Sequence, residues 1–234
     1  MRKLIILLLG ASLLPGNVQA QVLDPVNRGC YVRDKSLPFV SRMTFTMRTA
    51  GRMRIMIASG GFDIDATARF NAFLPQAGRV DEIWLDSPGG VATQGIELGK
   101  AIRHAGIPTR VPTGFSCISA CTMAFLGGPF RSLDAYSNYG IHAAYNDRFL
   151  LKYAKSTSGN GIDKFNELHD REVTYQQLGA QMQSYAARMG ISSKFIADVM
   201  LSQKSIEATA DGHLRSLYRC ISISEAQRYN VVNQ

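Results

Sequence analysis

From residue 54 onward, short apolar runs alternate with segments whose apolar residues recur every three or four positions. Arg54 to Ala58 reads as a strand closed by Ser59-Gly60-Gly61, after which Ala66, Phe70, Phe73 and Leu74 fall at helical spacing. Glu82 to Leu85 is the next strand. Val91 to Ala105 follows as a helix with Ile96, Leu98, Ala101, Ile102 and Ala105 on one stripe, ended by Gly106 and Pro108. Thr109 to Val111 is a third strand, and Ser119 to Leu126 is a short apolar helix stopped by Gly127-Gly128-Pro129. Strands alternating with helices in this way predict parallel pairing through crossover helices, hence an α/β core.

The texture changes after residue 145. Phe165, Leu168, Tyr175, Leu178, Met182, Tyr185 and Met189 predict one long amphipathic helix over 163–189, ended by Gly190. Phe195, Ile196, Val199 and Met200 mark another helix, and residues 146–162 read as a loop. Methionines and tyrosines at helical spacing are core or subunit packing rather than a cofactor box, and no cofactor is expected. The organisation expected is a signal peptide at 1–20, a strand-rich extension at 21–53 and one α/β domain at 54–234.

The first twenty residues change how the composition is read. Arg2 and Lys3 precede an apolar run from Leu4 to Leu14, followed by Pro15-Gly16 and Val18-Gln19-Ala20, the layout of a secretory signal cut after Ala20. The run is shorter than the roughly 20 residues a spanning helix needs. The formal charge of +8 falls to +6 without Arg2 and Lys3. The remaining basic residues, such as Arg42, Arg48, Arg52, Arg54, Arg103 and Arg110, are scattered, so no nucleic-acid groove is expected. A periplasmic or secreted chain with this charge could touch membrane or cell wall peripherally.

Export also changes the meaning of the four cysteines, because an oxidising compartment permits disulfides. Cys117 and Cys121 lie four apart, and Cys30 and Cys220 lie near the ends of the mature chain. Up to two bridges in three pairings are open, as is the alternative of four small buried hydrophobes. The absence of a Cys-x-x-Cys pair gives no start to a zinc ribbon, and no metal site is expected.

Candidate chemistry gathers at three points. Asp86-Ser87-Pro88-Gly89-Gly90 sits between a strand and a helix, where glycines let backbone N–H groups face open space and suit a phosphate or an oxyanion. It lacks the Lys-Ser/Thr of a phosphate loop and the third Gly of a dinucleotide fingerprint. Ser119 stands at the junction between the third strand and the short apolar helix, a position that suits a helix cap or a nucleophile. His142, at the end of a short strand, could take the serine proton as general base.

The strand with Ser87-Pro88-Gly89-Gly90, the helix after it, Ser119 leading a small-residue helix, Arg131 after a glycine turn, and Ile141-His142 resemble, in order and spacing, the Clp protease proteolytic subunit. Signal-peptide peptidases and, more remotely, crotonases share that scaffold. The resemblance spans residues 54–145, with a weaker echo at 222–233, where Asn230 stands in place of the usual Gly. It implies a repeated β-β-α spiral core with a long helix, Ser119 as nucleophile, His142 as base, and the Gly90 and Ala120 N–H groups as oxyanion hole. The Cys117-x-Ser119-x-Cys121 frame departs from the Clp pattern and resembles a group of exported Clp-like proteins.

The third triad member is less clear. The family offset past Gly190 lands near Ser202 or Gln203, so Asp198 is the nearest carboxylate and Asp211 the next. Lys152, Lys155 and Lys164 are available for a Ser-Lys dyad. The function expected is an exported, ATP-independent serine peptidase that acts on peptides or unfolded chains and self-associates through its long helix. A catalytically inactive Clp-like binding or assembly module is the alternative.

Overall fold

The computed structural model describes residues 22–32, 40–143, 161–200, 206–208 and 214–234. The expected signal segment, most of the expected loop at 146–162, and Lys152, Lys155, Ser202, Gln203 and Asp211 lie outside the described residues.

Strands β1 (Thr44–Ala50) and β2 (Met53–Ser59) form an antiparallel hairpin with Thr44 opposite Ser59 and Ala50 opposite Met53. The segment before residue 54 therefore supplies an edge strand to the main sheet. Helix α1 (Ala66–Ala77) leads to β3 (Glu82–Asp86), and α2 (Ala92–Ala105) leads to β4 (Thr109–Val111). With β6 (Arg131–Leu133) the sheet has the order β1-β2-β3-β4-β6, parallel from β2 onward. The expected α/β architecture is present, and its parallel pairing follows from the crossover helices.

The strand ahead of Ser119 differs from expectation. It is not the third strand of the main sheet but a separate one, β5 (Ser116–Ile118), in a second sheet of order β10-β7-β5. A turn after β4, closed by the Phe115 N–H on Pro112 O at 3.0 Å, carries the chain from one sheet to the other. Strand β7 (Asn138–Ile141) runs parallel to β5, and the short β10 (Arg219–Cys220) pairs antiparallel on its other side. Between the sheets lies helix α3 (Ala120–Leu126), every residue of which is buried.

The long helix α4 spans Gly161–Arg188. Its carboxy-terminal part packs Met182, Tyr185 and Ala186 into the core, whereas Ile162, Phe165, Leu168 and Val173 nearer its start are exposed. The helix expected around Phe195 becomes a wide π-type turn at Ile196–Met200. Strands β8 (Ile206–Ala208) and β9 (Leu214–Ser216) pair antiparallel, a hairpin the apolar pattern did not announce. The closing helix α5 (Ile223–Arg228) starts with a capping box between Ser222 and Glu225. Asn230 adopts φ 58 and donates from Nδ2 to Gly190 O at 2.6 Å, so it fills the left-handed position often taken by Gly.

Two disulfides are present, Cys30–Cys220 and Cys117–Cys121. The first ties the amino-terminal segment to β10 and could contribute about 4 kcal/mol by restricting the unfolded chain. The tail is fixed by a different device. Arg131, only 1% exposed, donates from its guanidinium to Val231 O at 2.7 Å, Asn230 O at 2.9 Å and Gly128 O at 3.0 Å. All three acceptors are neutral carbonyls, and burial lowers the Arg131 pKa, although the group stays charged. A fork of donors is needed to reach them, which a lysine does not have. Arg131→Lys should lower stability by about 3 kcal/mol, measured by denaturant unfolding, with amide exchange increasing first at 229–234.

Candidate active site

Ser119 links β5 to α3 with φ 58 and ψ −121, a conformation that non-glycine residues rarely adopt. Such backbone costs about 1–3 kcal/mol and persists only where its surroundings enforce it. Its N–H donates to Gly140 O at 2.8 Å, and its carbonyl accepts from the Thr122 N–H at 2.9 Å and Thr122 Oγ1 at 2.6 Å. The half-buried Ser119 stands where a helix cap would, yet its side chain makes no capping bond. The hydroxyl is thus presented on a sharp strand-to-helix turn, the way a nucleophile is displayed in α/β-hydrolase folds.

The glycine turn lies against this serine. Ser87 bridges to β5, its N–H donating to Ser116 O at 2.6 Å and its carbonyl accepting from the Ile118 N–H at 3.0 Å. A Cβ on Gly89 (φ 95) would stand 2.5 Å from Ser119 Cβ and 2.7 Å from Ile118 O. A Cβ on Gly90 (φ 141) would stand 2.4 Å from Phe62 O. Both positions require glycine for space as well as conformation. Phe62 straps the turn from the other side, donating its N–H to Gly89 O at 2.8 Å and accepting from the Val91 N–H at 2.7 Å. Among the described residues the N–H groups of Gly90 and Ala120 have no acceptor, so two donors beside Ser119 remain for a developing oxyanion.

His142 follows β7 directly. Ile118 pairs with Gly140 across the parallel strands, so Ser119 and His142 emerge at the carboxyl ends of adjacent strands. The imidazole is 9% exposed, and burial lowers its pKa below the ordinary histidine value. Nδ1 lies 2.7 Å from Ala143 O. A carbonyl only accepts, so Nδ1 carries the proton and Nε2 keeps the lone pair that a general base needs. Ser119 Oγ and His142 are not hydrogen-bonded to each other in this structure. Such contacts often tighten only when substrate arrives.

The described contacts do not carry Asp198 to His142. Asp198 is exposed on the Ile196–Met200 turn and accepts from the Tyr229 hydroxyl at 3.3 Å. Lys164 lies half-buried in the first turns of α4.

Sequence reasoning did not find the groups that seat α3. Thr122 O, Met123 O, Phe125 O and Leu126 O accept from Tyr139 at 3.2 Å, Tyr185 at 2.9 Å, Thr109 Oγ1 at 2.7 Å and Arg103 at 3.3 Å, respectively. Burial pushes both phenols up, which keeps them protonated donors. The carboxy-terminal carbonyls of α3 are therefore satisfied from four elements. No local pattern announces those partners.

Comparison with known proteins adds a fold assignment. No protein-family model matches the chain, and no curated protein matches it. Among solved structures, a mutant of the 1510-N membrane-bound stomatin-specific protease aligns over 76% of this chain and 75% of its own at 18% identity, TM-score 0.43. A mutant of ClpP1 from Listeria monocytogenes aligns over 76% of this chain and 88% of its own at 15% identity, TM-score 0.51. The chain has a Clp-like α/β fold.

The His142 geometry can be tested without substrate. In the native state its ring should titrate below the ordinary histidine range, with nitrogen shifts reporting the Nδ1–H tautomer. The unfolded chain then binds the proton more readily than the native one, so this group lowers stability as pH falls below about 6.5 and has no such effect above it. Both are read by NMR titration and by unfolding at stepped pH, and the pH effect should shrink in His142→Gln.

Proposed function

We propose that this chain is an exported serine hydrolase, most specifically a peptidase, that works through an acyl-enzyme at Ser119. The observation that carries the reading is the Ser119 turn, where a non-glycine residue holds φ 58, leaves its hydroxyl uncommitted to capping and lies under the Gly89-Gly90 turn. A strained serine whose hydroxyl makes no capping bond is displayed at a backbone cost that capping does not account for.

In this reading Oγ of Ser119 attacks the carbonyl carbon of the substrate while His142 Nε2 takes the hydroxyl proton. The Gly90 and Ala120 N–H groups receive the oxyanion, each donor being worth about 3 kcal/mol in the transition state. The imidazolium returns its proton to the leaving amine as the C–N bond breaks, and water then cleaves the ester with His142 again as base. Ala143 O sets the tautomer, the orienting task that a carboxylate performs in a full triad. No step consumes ATP or uses a metal. The substrate is a peptide or an unfolded segment, and the layout of residues 1–20 supports action outside the cytoplasm.

A non-catalytic Clp-like binding module is the second reading, favoured by the lack of a hydrogen bond between Ser119 and His142 and by the exposed position of Asp198. A fluorophosphonate probe separates the two. Wild type should be labelled, Ser119→Ala not at all, and His142→Ala at least 100-fold more slowly, while Asp198→Asn should stay within a few-fold of wild type. Absence of labelling in folded wild type would favour the binding module. Exposed Ile162, Phe165, Leu168 and Val173 on α4 support self-association. Sedimentation should show an oligomer that Phe165→Glu shifts toward monomer.

A further inference from the structure

Resting on the assignment of Ser119 as nucleophile, we propose that Cys117 and Cys121 are positioning residues: their disulfide holds the serine in its reactive backbone conformation, so the protein becomes competent only once the pair is oxidised. Cys117 is the middle residue of β5 and Cys121 the second residue of α3, and the bond between them closes a small ring with Ser119 at its tip.

The ring has little slack. Both cysteines are 0% exposed, and the Gly89 backbone is packed so closely over Ser119 that even a methyl group there would stand 2.5 Å from Ser119 Cβ. Reduction removes the covalent closure of this ring, and the turn that carries Ser119 is then held by its hydrogen bonds and packing alone. Release falls on Ser119, the one residue of the ring with a positive φ. A displacement of about 1 Å at a reacting atom costs on the order of 100-fold in rate.

Burial also gives the device a direction. Formation removes two protons and two electrons from the thiols, taken up by a disulfide oxidant while the chain is still open. Once folded, neither sulfur is reachable by an attacking thiolate. The bond is a lock set during folding rather than a reversible switch. The other disulfide, Cys30–Cys220, packs against Ile118 from outside the ring without closing it, and serves as the control for lost packing as opposed to lost ring closure.

The test compares protein refolded with both disulfides, protein refolded under a dithiol, Cys117→Ala/Cys121→Ala and Cys30→Ala/Cys220→Ala. Fluorophosphonate inactivation is resolved into kinact and KI, and amide exchange is followed at 116–124. The reduced form and the Cys117→Ala/Cys121→Ala variant should lose 10- to 100-fold in kinact with KI nearly unchanged. Exchange at Ser119 and Thr122 should rise, and unfolding followed by oxidative refolding should restore kinact. Cys30→Ala/Cys220→Ala should keep kinact, and native oxidised protein should resist the dithiol. Equal kinact in reduced and oxidised protein overturns the proposal. If oxidised wild type is not labelled, the nucleophile reading fails; unchanged exchange at 116–124 on reduction then overturns the positioning role, and increased exchange upholds it.

Discussion

The left-handed backbone of Ser119 is the constraint around which the structure is arranged. A residue with a Cβ at φ 58 gives up about 1–3 kcal/mol relative to a relaxed turn, so its neighbours must supply at least that much. They do so from separate parts of the chain. Gly140 holds its N–H, Thr122 holds its carbonyl twice, the Cys117–Cys121 bond closes the loop beneath it, and the Gly89 backbone packs tightly against its Cβ. These restraints all bear on the same few atoms and leave the hydroxyl alone.

Helix α3 extends the same logic inward. A wholly buried helix exposes no carbonyl to water, so its last turn must find donors within the protein. Tyr139 comes from β7, Thr109 from β4, Arg103 from α2 and Tyr185 from α4. Tyr185 reaches Met123 only because Gly99 has no side chain: a Cβ there would lie 2.0 Å from the phenol oxygen. The carbonyl end of α3 is thus saturated while its first N–H, that of Ala120, keeps no acceptor among the described residues.

How much of this was legible in the sequence depended on whether the determinant was local. The 3.6-residue periodicity of α2 and α4 and the Gly-Pro stops were readable because neighbouring residues carry the signal. So was Asn230, since few side chains tolerate the left-handed region. The site was legible as a set of residue types: Ser119 at a strand-to-helix junction, two glycines before a helix, one histidine after a strand. Membership of β5 in a second sheet was not legible, because Thr109 to Val111 and Ser116 to Ile118 are both three-residue runs too short to carry a pattern, and only a partner strand tells them apart. The seating of α3 depends on residues up to 62 positions away, and no pattern along the chain records that Tyr185 ends at Met123.

Orientation of the imidazole by a backbone carbonyl also has consequences for rate. Ala143 O fixes the tautomer as a carboxylate would, but a carbonyl carries only a partial charge and gives less support to the imidazolium that forms when Nε2 takes a proton. Burial acts in the same direction, lowering the basicity of His142 and the driving force for proton transfer. In the proposed reading, two N–H donors with no acceptor among the described residues and an immobilised serine act on the other side of the reaction, reducing the reorganisation needed to reach the tetrahedral state. In the proposed reading such a site depends more on preorganisation than on base strength. That is why its catalytic power should be most sensitive to the geometry of the Cys117–Ser119–Cys121 turn and of the glycines above it.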